Sequence, residues 1–225
     1  MSKIVLPRTD KEGNYYISYS QIKNWNSDKS FNLKILGKME YILEYFFKED
    51  FGDMGWAQFG TEVEEFILER KHSGVFTSKE KEVLETITPL EVPQQEIRIE
   101  FDGFYLKGFM DDATKDFKHI RDYKTCSLNS SKQYYEDGYY QLDIYGMWVK
   151  QETGALPEKA EVVMVERAGS AFKWGGRKNL SVKEEVWNHD RELTEERQEY
   201  LRGYINKTAL EISEVYKVFL KMKGC

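Results

Sequence analysis

The chain has 225 residues, 40% of them hydrophobic and 15% aromatic, enough to bury a full core as one domain. Its formal charge of -6 excludes the overall basic footprint of a nucleic-acid coat protein, although local Lys and Arg clusters can still line a groove. Two cysteines, Cys126 and Cys225, are too few for a disulfide scaffold or a C-x-x-C metal site, and no apolar run approaches the roughly 18 residues of a membrane span, so a soluble, cytoplasmic chain is expected.

In chain order, S-Y-S-Q-I-K-N-W-N (18–26) opens with a serine able to cap a helix that carries Ile22 and Trp25. L-K-I-L-G-K-M-E-Y-I-L-E-Y-F-F (33–47) continues helical and apolar. From Gly60, apolar Val63, Phe66 and Ile67 face away from Glu62, Glu65 and Glu69, which predicts an amphipathic helix stopped by Gly74. A second helix over 78–87 ends before Pro89. The period then changes: Ile97, Ile99 and Phe101, then Phe104 and Leu106, alternate around Asp102-Gly103, a dipeptide suited to a two-residue hairpin turn. A third strand follows over 116–125, then a helix over about 130–152. Residues 158–167 read as a fourth strand, more continuously apolar than the others, which suits burial inside a mixed sheet. Residues 169–179 read as a loop with a short strand toward Trp187, and the remainder as a helix striped by Leu201, Ile205, Ile212, Val215, Phe219 and Met222. No repeat and no Pro/Gly/Ser linker interrupts the chain, and the whole order is that of an α/β layered domain.

Asp111 closes the second hairpin strand and Asp122 lies near the end of the next, where neighbouring strands run about 4.8 Å apart. Lys124, two residues on, shares the face of Asp122. Carboxylates in such an arrangement suit a hard cation, Mg2+ or Mn2+, and a lysine beside it can orient an attacking water and offset charge on a phosphate, so the set fits phosphodiester hydrolysis. The segment just past the lysine, with Thr125, Ser127, Ser130, Ser131 and Lys132, approaches a predicted helix N-terminus and can hold a DNA backbone, or Ser130 or Ser131 can simply cap that helix. Lys173, Arg177 and Lys178 in the glycine-rich loop are further candidates for DNA contact, while His72, His119 and His189 have no ligand spacing.

G-F-M-D (108–111), ten intervening residues and D-Y-K (122–124) resemble the signature of the PD-(D/E)XK nucleases, and Gln141-Leu142-Asp143-Ile144-Tyr145 resembles the Q-x-x-x-Y of their RecB-like and lambda-exonuclease-like branch. The serine-led helix at 17–25 and Gly60-Thr61-Glu62-Val63-Glu64 are similar to upstream elements of the same branch. The resemblance implies a restriction-endonuclease-like fold, a mixed central sheet flanked by helices, as a single domain 1–225 with a catalytic core at about 56–167 and a C-terminal helical extension at about 188–223. It implies that Glu64, Asp111, Asp122 and the Tyr123 backbone carbonyl bind Mg2+ or Mn2+, that Lys124 positions the water, and that Gln141 and Tyr145 steady the phosphate and the lysine. Two rivals stay open here, Asp112 beside Asp111 and Glu62 beside Glu64; Asp111 is preferred on the G-x-x-D spacing and because Asp112 is expected to begin a turn. Four cysteines would be needed for the iron-sulfur branch, so no cluster is expected. The implied activity is that of a DNA exonuclease in recombination or repair, of phage origin, partnered by DNA and by a second copy of itself or a single-strand annealing protein. An endonuclease or junction resolvase on the same fold, or an inactive DNA-binding accessory, are the alternatives.

Overall fold

The computed structural model describes residues 4–28, 36–50, 55–134, 139–169 and 179–224, and its chain packs as two compact units. The first takes residues 1–51, 96–109 and 194–225, the second residues 52–95 and 110–193.

In the first unit, Ser18 and Gln21 exchange backbone and side-chain hydrogen bonds in a capping box that starts helix α1 (Tyr19–Trp25), as the leading serine predicts. Trp25 packs edge-on against Tyr41 of α2 (Gly37–Tyr41), which continues into one wide turn over Ile42–Phe46. A two-residue strand not foreseen from the sequence, β1 (Tyr16–Ile17), runs parallel to Tyr105 and Leu106. The predicted hairpin is present as β2 (Val92–Phe101) and β3 (Phe104–Ala113), with Gly103 at φ 84° in its turn, where a side chain would be strained. Both strands also run into the second unit, through residues 92–95 and 110–113. Helix α6 (Glu195–Lys223) is capped by Thr194. Leu201, Ile205 and Ile212 of its predicted stripe are buried, but Val215 and Met222 are exposed, the latter 80%.

The second unit holds α3 (Gly55–Glu69), α4 (Ser78–Glu85), β4 (His119–Cys126), α5 (Gln141–Thr153), β5 (Lys159–Ala168) and β6 (Ser181–Asp190). Phe59, Val63, Phe66 and Ile67 of α3 close on Leu84, Tyr123, Val163 and Val165 in one apolar core. α3 begins five residues before Gly60 and does not run to Gly74: Arg70 turns left-handed at φ 58° and its guanidinium donates to the Phe66 and Ile67 carbonyls, both at 3.1 Å, doing the work expected of glycine. The predicted helix over 130–152 is also revised. Leu128–Tyr134 forms a tight 3-10 stretch and α5 starts only at Gln141. Ser130 pairs with Ser127 and Ser131 donates to the Leu128 carbonyl, so neither caps α5. The short strand expected toward Trp187 is the ten-residue β6, and residues 170–178 of the loop expected before it lie outside the described residues.

The strand order is β1-β3-β4-β5-β6, with β2 paired to β3. β3 and β4 are antiparallel, β4 and β5 parallel, and β5 and β6 antiparallel, which makes the sheet mixed and the fold α/β of the restriction-endonuclease-like kind. A parallel pair needs a crossover, and α5 supplies it between β4 and β5. As its apolar core of Val162 to Val165 predicts, β5 is buried, from Ala160 to Val165.

Glu161, opposite Arg121 in that parallel pair, is 1% exposed and accepts from Arg121 at 2.6 and 2.8 Å and from Lys159 at 2.9 Å, with His119 Nε2 at 2.8 Å. Burial alone would raise its carboxyl, but Lys159 and Arg121 outweigh it and hold it below the ordinary glutamate range. A carboxyl lowered on folding stabilises the fold above its unfolded pKa and loses that contribution as pH falls through the folded value. Glu161→Ala leaves a buried guanidinium uncompensated and is expected to cost about 3–5 kcal/mol in denaturant unfolding, with a flatter acid limb of stability against pH.

Candidate active site

Asp112 pairs with Arg121 across β3 and β4, so one step along the register sets Asp111 opposite Asp122. There the Tyr123 N–H donates at 2.8 Å to Asp111 Oδ2, and a carboxylate takes the place of a ladder carbonyl. Asp122 is fully buried and Asp111 9% exposed. Alternation along β4 puts Lys124 on the face of Asp122. Its Nζ lies 2.8 Å from Asp122 Oδ1, 2.9 Å from the Tyr123 carbonyl oxygen and 3.9 Å from Asp111 Oδ2.

From α5, the Tyr145 hydroxyl reaches Asp111 Oδ1 at 3.1 Å and Asp122 Oδ1 at 3.2 Å, while Gln141 Nε2 donates to that hydroxyl at 3.1 Å. The i, i+4 spacing aligns the two side chains, as expected. Gln141 bonds to Tyr145, and the Tyr145 hydroxyl lies between the two carboxylates. Tyr139, in the lead-in to α5, donates to Asp122 Oδ2. The sequence reading missed this contact for a geometric reason. A helix running through 130–152 would turn Tyr139 far from the face of Tyr145, whereas a helix starting at Gln141 leaves it free to reach the same acid.

Electrostatics follow from this crowding. Burial, then the charge of Asp122, pushes the Asp111 carboxyl well above the usual range. Burial alone would lower the Lys124 ammonium, but Asp122 and Asp111 outweigh it and hold it above the ordinary lysine value. Two buried carboxyls thus share one lysine, and burial together with Asp122 disfavours the charged form of Asp111.

Asp112 is fully buried and serves the fold: it accepts from Leu90 N at 2.7 Å, Ala113 N at 3.0 Å and the Tyr123 hydroxyl at 2.7 Å. It does not begin a turn, since β3 runs through it; its carboxylate simply faces away from Asp122. Glu64 on α3 is half-buried and accepts from Gln94 of β2. Burial, against the pull of Lys124 and with the charge of Asp122, pushes its carboxyl up to about 7. Its neighbour Glu62 is bonded instead by Gln58 within the helix, at 3.1 Å. Thr125 is half-buried beside Gly60, Ser127 is paired with Ser130, and Lys132 is exposed on the 3-10 stretch, which is not the N-terminus of α5. Lys173, Arg177 and Lys178 lie outside the described residues.

The donor chemistry fits a hard divalent cation: two convergent carboxylates and the Tyr123 carbonyl, all oxygen. Among the described residues, however, no three His, Cys, Asp or Glu side chains stand placed to hold a metal ion, and the expected third carboxylate, Glu64, is engaged by Gln94. Among the same residues, no helix is long and apolar enough to cross a membrane.

A mixed sheet brings an aspartate pair and a lysine together at the ends of adjacent strands, backed by a helix bearing Gln141 and Tyr145. A family model described as "PD-(D/E)XK nuclease superfamily" matches residues 42–218, and the chain belongs to that superfamily. Among solved structures it is similar in fold to one from Eubacterium rectale named "Putative exonuclease", with a TM-score of 0.53, 14% identity, and coverage of 94% of this chain and 86% of the other. No curated protein matches the chain.

Proposed function

We propose that the chain is a divalent-cation-dependent DNA nuclease that trims DNA from an end, serving recombination or repair. The carrying observation is the joining of Asp111 and Asp122 through one Tyr145 hydroxyl, with the Lys124 ammonium on Asp122 and on the Tyr123 carbonyl. Asp111, Asp122 and the Tyr123 carbonyl would hold Mg2+ or Mn2+, with Glu64 joining them on release from Gln94; the ion supplies Lewis-acid polarisation of the scissile phosphate. Lys124 holds the attacking water and offsets charge on the phosphoryl oxygens. Tyr145 fixes the spacing of the acids, and Gln141 fixes Tyr145. Thr125, Ser127 and Lys132 line the strand's continuation, where a DNA backbone would pass.

End-directed cleavage is tested with matched substrates. With Mg2+ or Mn2+, end-labelled linear DNA is expected to be degraded while covalently closed circles of the same sequence persist. Cleavage of the closed circle would support the endonuclease or resolvase reading, and intact linear DNA under all these conditions would leave only a binding role.

A further inference from the structure

Beyond the acids, the parallel strands carry a second group of side chains that the reaction does not use. Arg167, near the end of β5, is half-buried, and among the described residues its guanidinium meets no carboxylate. Buried or half-buried arginines elsewhere in this unit have such partners: Arg121 binds Glu161 and Arg191 binds Asp143. Arg167 instead donates to the Thr125 carbonyl at 3.4 Å and lies 5.9 Å from the ring centre of Trp56, a half-buried indole in the first turn of α3. The ladder to β6 shifts register between Val165 and Arg167, where two steps on β5 face four on β6. The register with β4 runs unbroken to Cys126 opposite Glu166, so Arg167 continues the face of Val163 and Val165, the one that α3 covers. Tyr134 lies within electrostatic reach of both Lys124 and Arg167.

A half-buried guanidinium with no acid beside it among the described residues and an indole next to it together describe a nucleic-acid subsite. Resting on the nuclease reading above, we propose that Arg167 and Trp56 hold the strand beyond the cut as an unpaired single strand, Arg167 on a backbone phosphate and Trp56 stacked on a base. Guanidinium binds phosphate by two parallel hydrogen bonds, and an indole face takes any base without reading its sequence. The substrate class is then single-stranded DNA or a frayed duplex end.

Binding of a 12-nucleotide single strand is measured with a chelator present, so that nothing is cut. Trp56→Phe, which keeps the ring's packing on the core, is expected to weaken binding about tenfold. Arg167→Gln is expected to weaken it and to reduce the slope of log affinity against log salt by about 0.7, the share of one phosphate on a single strand, with Arg167→Lys restoring the slope. In the cleavage assay both Trp56→Phe and Arg167→Gln should raise KM with kcat unchanged. Parental affinity and salt slope in both variants would overturn the subsite, and so would equal weakening toward a blunt duplex. Unchanged KM in variants of an active parent also overturns it while leaving the nuclease reading intact. Lost single-strand binding in variants of a parent that cuts no DNA would sink the nuclease reading and keep the subsite.

Discussion

Lys124→Ala is expected to lose DNA cleavage by about 1000-fold or more while binding Mg2+ or Mn2+ no more weakly than the parent. The two halves of this result have one origin. Lys124 Nζ rests on Asp122 Oδ1 and on the Tyr123 carbonyl oxygen, the same oxygens assigned to the cation, so the ammonium competes for them. Removing it leaves Asp111 and Asp122 buried without their counter-charge, which costs the fold about 3–5 kcal/mol when no divalent ion is supplied. Adding the ion should therefore raise the melting temperature of Lys124→Ala more than that of the parent, by linkage to binding. Thermal unfolding with and without Mg2+ checks this directly. Equal shifts in the two proteins would show that lysine and cation do not compete, and undiminished cleavage would remove Lys124 from the chemistry.

Asp111 and Asp112 are neighbours with opposite expected phenotypes. Asp111→Asn removes a charge that Asp122 and burial already disfavour, and the amide oxygen can still accept from Tyr123 N; cleavage should fall about 1000-fold with stability unchanged or slightly raised. Asp112→Ala leaves the Leu90 N–H and the Tyr123 hydroxyl without their acceptor in the interior, at a cost of about 3 kcal/mol, with kcat of the folded fraction near the parent's. Denaturant unfolding and single-turnover cleavage, run on both variants, separate them. A stability loss confined to Asp111→Asn, or a kcat loss confined to Asp112→Ala, would reverse the assignment.

Much of this was legible in the sequence because it depends on periods and short spacings. Alternation around Asp102-Gly103 located the hairpin, the apolar stretch within 158–167 located the buried strand, and the two-residue step from Asp122 to Lys124 put both on one face. What escaped was set by particular side-chain contacts that no period encodes. Arg70 ends α3 through carbonyls of the turn before it, which no glycine rule anticipates. The late start of α5 brings Tyr139 onto Asp122, and Gln94 meets Glu64 from a strand 30 residues away. Asp112 lost its expected turn because β3 is two residues longer than its alternating apolar pattern suggests.

The hydroxyl between the two aspartates also has a polarity. Gln141 donates to Tyr145 oxygen, so the only proton on that oxygen must point inward, toward Asp111 or Asp122. The relay thus runs one way, from amide to phenol to acid. Gln141→Glu keeps the shape but puts an acceptor at its head, drawing the phenolic proton outward and turning lone pairs toward the carboxylates. Such a variant should fold as the parent does yet hold its acids further apart, read as a drop in cleavage that Gln141→Met, which neither donates nor reverses the relay, does not match.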